Sequence, residues 1–120
     1  MFGPVRRWGP TMAESRETAS GGGQPSQPEE YRKAAEILRA LSHPVRLRII
    51  ELLGEGELCV KSLEEHLGVS QSSVSQHLTR LRYAGLIECE RKGHLVCYRL
   101  RKGGAARILE AAIDESQKES

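Results

Sequence analysis

Beyond residue 30, apolar positions recur mostly at helical spacing. They give way to short β-prone runs only between residues 86 and 100. The clearest stretch is Ser62 to Leu86, SLEEHLGVSQSSVSQHLTRLRYAGL. Val74, Leu78 and Leu81 stand at i, i+4 and i+7, so they share one helix face and should pack inward. Ser72, Gln76, Thr79, Arg80 and Tyr83 fall on the opposite side. Ser70 is placed to cap this helix with its hydroxyl, and Gly85 suits the position just past its end. A shorter helix precedes it, with Ser62 and Glu65 spaced as a capping box and Gly68 as its stop. Two helices joined by a tight Gly-containing turn have the form of a helix-turn-helix.

The flanking patterns complete the expected architecture. Pro44 suits the first position of a helix, with Ser42 or His43 as cap, Leu47, Ile50 and Leu53 as its apolar stripe and Gly54 as its end. Tyr31, Ala34, Ala35, Ile37, Leu38 and Leu41 predict a helix before it. Ala105, Ile108, Leu109, Ala112 and Ile113 predict a last helix with a broad apolar face. Between Leu86 and Leu100, two β-prone runs surround Lys92-Gly93, where Gly supplies the positive φ of a hairpin loop. The expected fold is mainly α, of the α+β kind. It is a winged helix-turn-helix with a two-stranded wing and terminal dimerisation helices, in one domain over residues 29–116. Residues 1–28 are rich in Gly, Pro, Ser, Gln and Thr and read as a disordered tail. Met12, opening MAESRE, offers a start of its own, so residues 1–11 read as an upstream extension of the frame.

A polar outer face on the second helix of such a motif points to double-stranded DNA. Residues near the start of a recognition helix reach base edges and phosphates. Gln can read adenine there with two hydrogen bonds, and a helix N-terminus favours a phosphate. The candidate contacts are Ser70, Gln71, Ser72, Ser73, Ser75, Gln76, Thr79 and Arg80. The wing tip adds Arg91, Lys92 and His94, suited to phosphates or the minor groove. The formal net charge of the chain is only +2, but it is unevenly spread. From Thr79 to Arg107, eight Lys and Arg stand against two acids, a net of +6. From Ile50 to His66, five Glu stand against one Lys, a net of −4. A basic region gathered on the helix and hairpin fits a polyanion. An alternative use of the same face is a protein or RNA partner.

Three motifs resemble the ArsR/SmtB family of small bacterial winged-helix repressors. Ala40-Leu41-Ser42-His43-Pro44-Val45-Arg46-Leu47-Arg48-Ile49-Ile50 resembles the junction of its first two helices. Glu57-Leu58-Cys59-Val60 resembles the segment leading into the helix-turn-helix. Ser70 to Leu81, followed by Gly85-Leu86-Ile87, resembles the recognition helix and the start of the wing. The resemblance implies a cytoplasmic homodimer that represses transcription and leaves its operator when an effector binds. A symmetric dimer would present two recognition helices to half-sites about one DNA turn apart.

The effector is less legible. Cys59 sits where metal-sensing relatives often carry a Cys-x-Cys pair, but here the second position is Lys61. The family's other metal site, on the last helix, needs Asp or His at its start and His or Glu further on. This chain has Lys102 and Gly104 there, and no histidine beyond His94. No cofactor is implied outright. A metal ion or an arsenical remains an effector class with incomplete ligand sets. Cys59, Cys97 and Cys89 are candidate thiol sensors, each alternatively a small buried hydrophobe. A loop at Lys92-Gly93 would set Cys89 opposite Val96 and put Cys97 on the other face. Cys59 could sense thiol chemistry if it meets Cys97 or a subunit partner. His77 falls near the inner edge of the recognition helix and reads as packed or capping, as do His43 and His66.

No apolar run has the length of a membrane span, and the odd cysteine count does not suit a secreted disulfide framework. No nucleophile–base pair, Gly-rich phosphate loop or carboxylate cluster points to an enzyme.

Overall fold

The computed structural model describes residues 28–102 and 104–118. The expected tail therefore lies outside the described residues except for Pro28. The elements are α1 (Glu29–Leu41), α2 (Pro44–Gly54), β1 (Leu58–Cys59), α3 (Val60–Leu67), α4 (Gln71–Tyr83), β2 (Ile87–Lys92), β3 (Leu95–Leu100) and α5 (Ala105–Gln117). The chain divides into two units, Met1–Lys33 and Ala34–Ser120. Of the first unit, only Pro28 and the opening of α1 are described.

The second unit is built around one apolar centre. Ile49 and Ile50 of α2, Leu63 of α3, Val74, Leu78 and Leu81 of α4, and Ile87 of β2 are all fully buried. Each such side chain contributes roughly 1.5–3 kcal/mol through burial. The inward stripe of α4 is the expected one. In α2 the buried set is Ile49, Ile50, Leu52 and Leu53, while Leu47 is half-buried. This stripe is wider than its spacing suggested because α2 is the central element, packed against α3, α4, α5 and β3.

Local sequence explains the helix ends. Pro44 opens α2, and the His43 ring Nδ1 accepts the Val45 N–H at 3.1 Å. Ser70 Oγ accepts the Ser73 N–H at 3.1 Å, as expected for the α4 cap. Gly68 closes α3 at φ 67. That left-handed conformation costs a side-chain-bearing residue about 1 kcal/mol or more.

The start of α3 differs from expectation. The helix begins at Val60 with Cys59 as its N-cap, so Ser62 lies inside the first turn and does not cap it. The capping-box spacing was present. Pairing of the preceding residues as β1, however, forces the chain to turn into helix earlier.

The wing is the expected antiparallel hairpin of β2 and β3, but its loop is Gly93-His94, because Lys92 pairs with Leu95. Gly93 takes the positive φ, at 66. Cys89 therefore faces Tyr98 across the hairpin and not Val96. β1 joins as a third strand, giving the order β1-β3-β2. Leu58 pairs with Tyr98 and Cys59 with Cys97.

Candidate nucleic-acid interface

Helix α4 presents the expected outer face. Ser70, Gln71, Ser72, Ser75, Gln76, Thr79 and Arg80 are exposed, and Ser73 is half-buried beneath the cap. Tyr83 is also exposed, at the far end of the helix. The first turn holds no acidic residue and the last turn carries Arg80 and Arg82. A phosphate near the start of α4 would therefore meet unpaired N–H groups and no nearby carboxylate on that helix.

The recognition helix is held from behind through His77. Its ring lies 4.4 Å from that of His43, centroid to centroid. Arg46 Nη1 is 3.3 Å from His77 Nδ1. A guanidinium can only donate, so Nδ1 accepts and the imidazole is neutral in this arrangement. Burial, then the charges of His43 and Arg46, hold His77 below the ordinary histidine pKa. Arg46 Nε also donates to the Ala40 carbonyl at 2.6 Å. Burial lowers the Arg46 pKa from its usual value, and the nearby Arg80 charge lowers it further. Arg46 thus anchors α4 and adds positive potential behind its outer face. The sequence reading missed it because its reach to α4 is a tertiary contact. Its place in the Ala40–Ile50 motif was the only available signal. His66 is exposed, and its ring nitrogen bonds the Ser62 carbonyl at 2.8 Å.

The wing tip is less freely basic than its composition suggests. Arg91, Lys92 and His94 are all exposed. Lys92 Nζ, however, donates to Glu57 Oε2 at 2.6 Å. Arg99 lies 2.9 Å from Glu88 and from Glu90, and 3.7 Å from Glu57. Lys92, first by its hydrogen bond, holds the Glu57 carboxylate below its usual pKa, and Glu57 raises that of Lys92 in return. Among the described residues, Arg80 and Arg91 have no such ion-pair partner. Glu57 was not among the candidate site residues, since only the strand pairing brings it beside the wing.

The three cysteines separate into one pair and one outlier. Cys89 is exposed and accepts from Arg82 Nη1 at 3.2 Å. Cys59 and Cys97 are paired across β1 and β3. Among the described residues no group of three or more His, Cys, Asp or Glu is gathered.

A capped helix with a polar outer face, backed by a hairpin wing, defines a winged helix-turn-helix regulator. The sequence matches the bacterial regulatory protein, arsR family, over residues 43–88. It is 40% identical over 79 residues to the biofilm growth-associated repressor of Xylella fastidiosa, covering 66% of this chain and 69% of that protein. It is 38% identical over 100 residues to the HTH-type transcriptional regulator NmtR of Mycobacterium tuberculosis, covering 81% and 83%. The fold matches HlyU from Vibrio cholerae with a TM-score of 0.67 at 32% identity, covering 72% of this chain and 94% of that one. The chain belongs to the ArsR family of transcriptional regulators. Its class is a DNA-binding repressor and not an enzyme. No described helix is long and apolar enough to cross a membrane.

Proposed function

We propose that this chain is a homodimeric, cytoplasmic repressor that reads an operator duplex with α4 in the major groove and sets its wing against flanking phosphates. The observation that carries this is the exposed polar row from Ser70 to Arg80 on a helix whose N-terminus is capped and free of acids. Gln76 and Ser72 would meet base edges. Ser70, Gln71, Ser73, Ser75, Thr79 and Arg80 would fix the helix on the backbone, and Arg91, Lys92 and His94 would extend the contact. Dimerisation is supported by the terminal helices, where Leu38 is 55% and Ile113 is 43% exposed in the single chain. Apolar side chains left open in this way on a small domain are covered at low cost by a second copy. Release from the operator by an effector follows the family pattern.

Selection from a random duplex pool, followed by hydroxyl-radical footprinting, tests this reading. It predicts a palindromic sequence with two protected half-sites about one turn apart, roughly 10 bp. Enrichment of no duplex, with retention of single-stranded RNA or of a protein partner, would favour the alternative use of the basic face.

A further inference from the structure

We infer that Cys59 and Cys97 form a redox-reactive dithiol, closing to a disulfide within one chain when a hydroperoxide reacts with it and thereby weakening duplex binding. The coupling to DNA rests on the function proposed above; the dithiol itself rests on the strand register. Cys59 of β1 stands directly opposite Cys97 of β3. Directly opposed residues of an antiparallel pair lie on one face of the sheet, with Cα atoms about 4.5–5.5 Å apart. That separation falls inside the range of roughly 4.4–6.8 Å that a disulfide spans.

The two thiols share the face of the sheet turned away from the connected core cluster. Leu58 and Tyr98, paired beside them, pack on the apolar core, and successive residues of a strand face opposite ways. Cys97 is 8% exposed, yet it stands outside the core cluster. Its strand neighbour Arg99, and Glu90 opposite Cys97, belong to the ion-pair network that also holds Glu57. A methyl-sized hydrophobe has little to gain under such a network. A thiol that must be covered yet reachable has a reason to be there.

The roles of the sulfurs differ. Cys59 is half-buried at the N-cap of α3, with Sγ 3.6 Å from Ser62 Oγ. The Ser62 N–H, then its hydroxyl, hold the Cys59 thiol below its ordinary pKa, although no regular capping hydrogen bond forms. Burial, then the charge of Glu57, push the Cys97 thiol up. Cys59 is therefore the sulfur that reacts first. Its thiolate attacks one oxygen of the hydroperoxide, the O–O bond breaks, and an alkoxide leaves to be protonated to the alcohol (water, from hydrogen peroxide). Cys59 is now a sulfenic acid. Cys97 then attacks the sulfenyl sulfur, its proton goes to the departing hydroxide, and water leaves as the S–S bond forms. The hydroperoxide is reduced by two electrons and the dithiol is oxidised by two.

The bond would tie the first turn of α3 to the wing strand β3. Glu57, which holds Lys92, stands two residues ahead of Cys59 on the same segment. Since α3 packs on α4, a shift of its first turn moves the recognition helix relative to the wing.

The test uses the full chain, a chelator and stoichiometric hydrogen peroxide, with the duplex that the reduced protein selects from a random pool. Support is a reversible loss of about 2 Da in the denatured, non-reduced chain, as two thiol hydrogens depart. Peptide mapping should link Cys59 to Cys97 within one chain, in wild type and in C89S. Duplex affinity should fall about tenfold and recover with dithiothreitol, a coupling of ordinary size, and C59S and C97S should keep their affinity under peroxide. A link to Cys89, a link between chains, oxidation of Cys59 without a disulfide, or a disulfide that leaves affinity unchanged overturns the inference. A reduced chain that binds no duplex overturns the DNA reading and the coupling with it, while the mapped linkage still decides the dithiol.

Discussion

Lys92 Nζ lies 2.6 Å from Glu57 Oε2, so the wing tip is tied to the residue just ahead of β1. The pair is half-open to water, with side-chain exposures of 51% and 30%. An ion pair this open to water is weak, and a DNA phosphate can compete for the lysine. Glu57 therefore acts as an internal competitor for the wing. Glu57→Gln should raise duplex affinity up to about fivefold and steepen its salt dependence by about one phosphate. Lys92→Ala should weaken all duplexes alike and flatten the salt dependence. Anisotropy titrations at several salt concentrations measure both; a Glu57→Gln chain that binds more weakly contradicts the competition.

Gln76 is exposed near the middle of α4 with its amide free to meet a base. Gln76→Ala should cost about 1–3 kcal/mol in operator affinity and relax preference at one base pair per half-site. Competition between the selected duplex and its single-base variants reads this directly. A uniform loss across all variants would place Gln76 on the backbone and not on a base.

His77 links stability to pH. Burial, aided by the charges of His43 and Arg46, favours its neutral form in the fold, so its folded pKa lies below its unfolded value. As pH falls through about 6.5, the unfolded chain takes up the proton first. The stabilisation is whole above that range and drains as pH drops toward the folded value. Thermal melts between pH 7.5 and roughly pH 5 should show a falling Tm in wild type and a shallower fall in His77→Asn. Parallel curves for the two chains would remove His77 from the account.

Leu38 and Ile113 leave an apolar face open on the terminal helices. Leu38→Glu should leave the monomer folded, since the side chain is more than half exposed, but place a charge in the dimer seam. Sedimentation should then shift from dimer to monomer, with a weakening of tenfold or more, as an unpaired buried charge costs several kcal/mol. An unchanged dimer would move the interface elsewhere.

Much of this arrangement is legible in the sequence because it is local. The inward stripe Val74, Leu78 and Leu81, the Ser70 cap and the glycine stops at 68 and 85 follow from periodicity and backbone sterics. The outer face of α4 follows from the same stripe. What was not legible depends on contacts between distant segments. A two-residue strand has no periodicity, so β1 could not be read, and without it Ser62 looked like the better cap. The hairpin loop moved by one residue because Lys92 pairs with Leu95, which leaves Gly93-His94 to turn. Two conclusions depended on that register. Cys89 and Cys97 still face opposite ways, now with Tyr98 opposite Cys89. The meeting of Cys59 with Cys97, left open by sequence, is supplied by the third strand. The net of +6 around the helix and wing overstated the free charge, since Arg99 and Lys92 are engaged by Glu57, Glu88 and Glu90.

The reading of a specific duplex by α4 and the wing together can be measured without mutation. Its most direct measurement is the affinity of the reduced chain for the selected palindrome and for a scrambled duplex of the same composition, each across a range of salt. Affinity for both should fall linearly with salt on logarithmic axes, with a slope of several phosphates, and the palindrome should bind about 10³-fold or more tightly throughout. Equal affinity for the two duplexes, or binding indifferent to salt, would contradict it.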